Sequence, residues 1–142
     1  MFHRSILIGS ALLLATAALA ATPMETRRTL MKANGAATKQ LSAMLKGEKP
    51  FSLDDVKKSL ATYAEGANDF VTLFPAGSEK GQTEASPKIW SDMAGFKAAN
   101  EKFKTEIASA QASIKDEASF KATIPALLKN CGSCHEAYRL KD

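Results

Sequence analysis

The two cysteines of this 142-residue chain stand three positions apart with a histidine directly after the second, as Cys131-Gly132-Ser133-Cys134-His135. That C-x-x-C-H pattern is the one by which a polypeptide attaches haem: two thiols add across two vinyl groups as thioethers, and the adjacent imidazole comes within reach of the iron. A planar group fixed to one short segment must be enclosed by the rest of the chain. With no third cysteine, a four-sulfur cluster or an all-thiolate zinc site has no ligands. A thioredoxin-type dithiol expects strands alternating with helices, and no such alternation is present. Zinc held by two cysteines and one histidine lacks a second ligand cluster, and a plain disulfide leaves His135 without a role. Haem attachment accounts for all three residues together.

The other end of the chain points to the compartment. Residues 1–20 read as a secretory signal, with Arg4 as the positive n-region, Ile6 to Ala17 as the apolar h-region and Ala18-Leu19-Ala20 as the cleavage site. The apolar run is shorter than the roughly 20 residues a spanning helix needs, so export is expected rather than stable membrane insertion. Thioether attachment of haem takes place outside the bacterial cytoplasm, so both ends imply the periplasm. Cleavage leaves residues 21–142, enough for one domain with its own core. Removing Arg4 leaves 18 basic residues against 15 acidic ones, a net of +3. Lysines and glutamates are interspersed without an aromatic-interleaved basic patch, which argues against nucleic acid as a partner.

Apolar spacing divides the mature chain into four helical segments. The third is the clearest: Ile89, Met93, Phe96, Asn100, Phe103, Ile107, Ala110 and Ile114 recur at steps of three and four. Ser86 suits its N-cap and Pro87 its first helical position. The second begins at Ser52, with Leu53, Val56, Leu60, Ala64, Ala67 and Val71 on one face, and ends by Phe74-Pro75. The first runs from about Pro23 to Leu45, with Met24, Met31, Asn34, Leu41 and Leu45 as inward candidates and Gly35 weakening its middle. The fourth opens near Asp116, carries Phe120, Ile124, Leu127, Cys131, Cys134 and Tyr138 on one side, and contains Pro125, which is expected to kink it. Short links join the first pair and the last pair, while Pro75 to Ser86 is long enough to cross an end. An all-α, antiparallel four-helix bundle around one haem follows.

The chain resembles the class II c-type cytochromes, the family of cytochrome c-prime and its low-spin, methionine-ligated relatives, an established bundle architecture. The resemblance rests on Cys131-Gly132-Ser133-Cys134-His135-Glu136-Ala137-Tyr138-Arg139, on Leu30-Met31-Lys32, and on Ser86-Pro87-Lys88-Ile89-Trp90. It implies one covalent haem c on Cys131 and Cys134, His135 as proximal iron ligand, Arg27 near a haem propionate, and Arg139 as the arginine found beyond the motif. Some members pair as homodimers through their first two helices.

The sixth iron position decides the function. After signal removal His135 is the only histidine, so methionine or vacancy remains. Met31 stands where the low-spin relatives supply a thioether, and Leu30-Met31-Lys32-Ala33-Asn34-Gly35 looks more like those relatives than like the high-spin members. A flexible thioether is also a common core filler, and Met24, Met44 and Met93 are present besides. With Met31 bound, the protein is a one-electron carrier meeting transient redox partners, and Lys129, Arg139 and Lys141 form a basic rim near the motif. With the site vacant, it binds nitric oxide or carbon monoxide. An enzyme is the remaining reading, and the chain has no second histidine, Ser/His/Asp set or phosphate loop to serve it.

Overall fold

The computed structural model describes residues 21–81 and 83–141. The export signal read over residues 1–20 lies outside the described residues. The chain forms α1 (Pro23–Leu45), α2 (Leu53–Asn68), the single-turn α3 (Lys88–Ser91), α4 (Met93–Ser113) and α5 (Glu117–Tyr138), with a 3-10 turn at Phe70–Leu73. The four long helices make the expected antiparallel bundle.

Each long helix starts on a side-chain cap. Thr22 opens α1 with a capping box: its hydroxyl accepts from the Glu25 N–H at 3.2 Å, and its own N–H donates to the Glu25 carboxylate at 2.8 Å. Gly47, with φ of 72°, turns the chain out of α1 through the left-handed region. Ser52 caps α2 through the Asp55 N–H, and Asp116 with Ser119 forms a second capping box at α5. α5 runs unbroken through Pro125, whose ring lies on an exposed position.

The third segment departs from expectation. It is not one helix from Ser86 but two pieces divided at Asp92. The Ser86 hydroxyl accepts from the Lys88 N–H, at 3.2 Å, whereas Asp92 caps α4 through the Gly95 N–H at 3.1 Å and accepts the Tyr138 hydroxyl on its other oxygen at 3.0 Å. Aspartate competes with helix interior by offering such local bonds, and the partner from α5 fixes the choice. Gly95 is required there, because a Cβ would stand 2.5 Å from Asp92 Oδ2 and 2.6 Å from Tyr138 Oη.

Packing proceeds from α1 to α2, from α2 to α4 and from α4 to α5, while α1 and α5 touch only sparingly. The interior correspondingly falls into two apolar clusters. One fills the bundle around Leu41, Leu60, Tyr63, Ile107, Phe120 and Ile124. The other gathers Phe74, Ile89, Phe96 and Tyr138 where the long connection crosses the end. That connection is stitched to the end of α5: the Ser86 N–H donates to the Tyr138 carbonyl at 2.9 Å, the Leu140 N–H to the Glu84 carbonyl at 2.8 Å, and Arg139 pairs with Glu84 at 2.7 Å.

Tyr63 is fully buried, with its hydroxyl 2.7 Å from that of Thr38. Burial pushes its pKa up to about 12, against the opposing effect of the Thr38 hydrogen bond. A phenol raised in the folded state stabilises fully below its unfolded pKa of about 10 and loses that contribution as pH climbs through the folded value. Denaturant unfolding is therefore expected to show about 2 kcal/mol less stability at pH 12 than at pH 9 from this group. Tyr63→Phe should flatten that part of the profile.

Candidate functional site

The cleft that matters is the seam between α1 and α5. On α1, Arg27, Met31, Asn34, Thr38 and Leu41 follow one another at steps of three and four and form the inward stripe. On α5 the corresponding stripe is Phe120, Ile124, Leu127, Cys131, Cys134 and Tyr138. Asn130 turns to the α4 side, where Lys102 donates to its carbonyl oxygen at 2.6 Å and its amide donates to Glu106. His135 and Gly132 consequently lie on the opposite flank, toward α1.

Two sets of contacts bracket the motif along the bundle axis. At the lower level, the Arg27 guanidinium stands 4.6 Å from the Phe74 ring, Phe74 packs on Phe96 at 4.8 Å, and Phe96 on Tyr138 at 5.3 Å. At the upper level, Thr38 bonds Tyr63, Tyr63 packs on Phe103 at 5.7 Å, and Cys131 is close enough to influence the Tyr63 phenol. α1 climbs from Arg27 to Thr38 between these levels while α5 descends from Cys131 to Tyr138. Met31 and Asn34 thus share a layer with Cys134 and His135.

The side chains in this layer are incompletely partnered. Arg27 is buried, not on the surface; its Nη2 donates to the Ser78 carbonyl at 3.2 Å, while Nε and Nη1 have no partner among the described residues. Burial pushes its pKa down. Asn34 Oδ1 is likewise buried and unpartnered. Buried polar atoms in native proteins are nearly always paired, so two orphans one turn to either side of Met31 mark a place where another polar group belongs. Met31 is half-buried and packs in neither apolar cluster, whereas Met44 and Met93 do. Met24 also stays outside both, but lies beyond Arg27, below the bracketed layer.

Cys131 and Cys134 are half-buried free thiols, and burial raises the pKa of both, so they remain S–H at neutral pH. His135 sits at the lip of the seam; loss of hydration, reinforced by Arg139 and opposed by Glu84, lowers its pKa and favours the neutral imidazole that metals bind. Among the described residues no three His, Cys, Asp or Glu side chains converge on an ion. Arg139 is not in the seam layer but is tied to Glu84 on the crossing segment. Phe74, Trp90 and the orphaned Asn34 amide complete the surroundings; only Asn34 carried a legible signal, as a polar residue on an apolar stripe.

The sequence model of the family described as Cytochrome C' matches residues 22–139. The chain belongs to the cytochrome c' family. It is 47% identical over 116 residues to a cytochrome c' of Rhodopseudomonas palustris, covering 81% of this chain and 80% of that one. It is 42% identical over 118 residues to a cytochrome c-556 of Agrobacterium tumefaciens, covering 82% and 94%. A solved structure of cytochrome c' from Rhodopseudomonas palustris superposes with a TM-score of 0.82 at 44% identity, covering 87% of this chain and 99% of that chain. A cytochrome c' family member carries one covalently attached haem c, and the protein is accordingly a mono-haem cytochrome. The orphaned guanidinium of Arg27 fits such a group, since haem brings carboxylates to a chain whose own carboxylates do not reach this position.

The fit is measurable through stability. In haem-loaded cytochrome, Arg27→Met is expected to cost about 2 kcal/mol more than in the haem-free protein, because only there does the guanidinium have an anionic partner to lose. Equal costs in denaturant titrations of the two forms would mean that Arg27 serves the fold alone.

Proposed function

We infer that this cytochrome is a periplasmic one-electron carrier whose iron is held between His135 and Met31. Bound haem c supplies a ferric/ferrous couple. Cys131 and Cys134 would hold such a haem through thioethers formed by addition of their S–H groups to its vinyl groups. His135, neutral at physiological pH, offers an imidazole nitrogen from the α5 side. Met31 offers its thioether from the α1 side, and Arg27 offers the two unpartnered N–H groups to a propionate. A soft thioether favours the reduced iron and raises the potential, while two protein ligands limit rearrangement on electron transfer.

The observation that carries this reading is the position of Met31. It lies on the inward stripe, outside both apolar clusters and between two orphaned polar side chains. Core filling, the ordinary use of a methionine, accounts for Met44 and Met93 and leaves Met31 without packing partners in either cluster. Export is supported by the signal-like residues 1–20, and no helix among the described residues is long and apolar enough to cross a membrane. The alternative is a five-coordinate cytochrome binding nitric oxide or carbon monoxide at a vacant sixth site, favoured by the higher identity to a cytochrome c' than to a cytochrome c-556.

One absorption spectrum separates the two. The oxidised protein is expected to be low-spin, with the near-infrared methionine-to-iron charge-transfer band. Met31→Ala should abolish the band and yield a high-spin, carbon-monoxide-accessible form, whereas Met24→Ala and Met44→Ala should retain it. A high-spin spectrum from the unmodified protein would sink the assignment.

A further inference from the structure

Charge is distributed unequally around the bundle. α2 and α4 together carry five acidic residues, Asp54, Asp55, Glu65, Glu101 and Glu106, against five lysines. α1 and α5 hold only three of the 15 acidic residues, Glu25, Glu117 and Glu136. Glu25 is engaged in the capping box and Glu117 pairs with Lys121. From Thr26 to Leu45, α1 has no acidic residue at all.

The basic residues of α1 are also aligned. Arg28, Lys32 and Lys39 are exposed and, with Gly35 between the two lysines, follow steps of four, three and four, so they form one stripe along the helix. The α2-facing side of α1 is fixed independently, by Ala33, Ala36, Ala37 and Gln40 lining a groove with Asp55, Lys58 and Ser59, and by the Thr38–Tyr63 contact. The basic stripe occupies the other flank, next to Met31, at the lip of the α1–α5 seam. Lys32 and Lys39 make no ion pair among the described residues. Gly35, in their midst, is a costly residue for a helix interior, and a Cβ there would meet nothing within 4 Å, so packing does not require it. At that point the lip is bare backbone.

The rim expected at Lys129, Arg139 and Lys141 is a poorer candidate. Arg139 is neutralised by Glu84, and Lys129 lies on the outer face of α5, two residues before the inward Cys131. Resting on the electron-carrier reading, we propose that the α1 lip, centred on Lys32 and Lys39, is the docking surface for an acidic redox protein, which approaches the seam over Gly35. A protein is favoured over an anionic membrane because the stripe itself, Arg28, Lys32, Gly35 and Lys39, carries no large apolar side chain to enter lipid, and the neighbouring Met31 is half-buried. The apolar stripe of α1 faces the bundle interior, and the one large exposed hydrophobic among the described residues is Leu140.

The test uses oxidants of opposite charge on the haem-loaded, reduced protein, each taking one electron from ferrous iron. With ferricyanide at low ionic strength, the double variant Lys32→Glu/Lys39→Glu is expected to react about tenfold more slowly than the parent. With tris(phenanthroline)cobalt(III) it is expected to react faster. Both differences should vanish at high salt. The control Lys57→Glu/Lys97→Glu makes the same change of net charge on α2 and α4, and is expected to alter either rate by no more than about twofold. Equal effects from the two double variants would overturn the proposal, since net charge rather than the α1 lip would then set the rate. Lys32/Lys39-dependent binding to phosphatidylglycerol vesicles would overturn it in favour of a membrane surface. Ligation by Met31 is read separately from the spectrum, so a failed lip and a failed electron-carrier reading give different results.

Discussion

The contact that α1 and α5 do not make governs the rest of this structure. Three of the four helix-to-helix boundaries in the bundle are closed by apolar side chains, and the fourth is left thin. A bundle with one open boundary is stable only if the other three are well made, and here they are: Leu41, Val56, Leu60, Ile107, Phe120 and Ile124 are almost wholly removed from water. The open side is further restrained from outside, by the pairing of residues 84–86 with residues 138–140 and by Arg27 and Trp90 holding the carbonyls of Ser78 and Pro75 on the crossing segment. The ends of α1 and α5 are thereby held in place with only sparse contact between the two helices.

That arrangement explains why the residues facing the seam are poorly satisfied while the rest of the interior is not. Arg27 keeps two N–H groups and Asn34 one carbonyl oxygen away from both water and protein. Each such group costs about 1–3 kcal/mol when left unpaired. The aromatic rings around Arg27 offset part of this through cation–π attraction, with Phe74 at 4.6 Å and Trp90 at 6.0 Å. A chain selected only for folding would have placed a leucine at either position. Their retention is easiest to understand if the folded, loaded state contains partners that the polypeptide alone lacks.

Most of the frame was legible because it depends on local chemistry. Ser52 and Asp116 mark the starts of their helices, and the three-four spacing of apolar residues identifies the inward faces over the full length of α2 and α5. The break at Asp92 was hidden because it depends on Tyr138, 46 residues away, whose hydroxyl holds the second oxygen of the carboxylate that caps α4. The burial of Arg27 was less legible: its three-four spacing to Met31 puts it on the inward face, but the rings that cover it, Phe74 and Trp90, come from the crossing segment and α3. The pentapeptide at residues 131–135 was legible because its chemistry is set by spacing alone. What stands opposite it depends on how two antiparallel helices are aligned, which spacing within either helix does not reveal.

The alignment also changes the meaning of the charge pattern. A mild excess of basic residues spread over a whole chain has no direction, and at physiological ionic strength charges more than about 8 Å apart are largely screened from one another. Folding removes that anonymity by pairing Lys49, Lys102, Lys104, Lys121 and Arg139 with acidic neighbours, whereas Lys32 and Lys39, beside the seam, make no ion pair among the described residues. On α1 no acidic residue beyond Glu25 offsets them, and Gly35 between them leaves room for another surface to come near. Steering and close approach are separate requirements for rapid transfer through a brief encounter, and one helix flank here meets both. Met31, on the inner side of that same flank, connects the surface a partner would meet to the layer that holds His135.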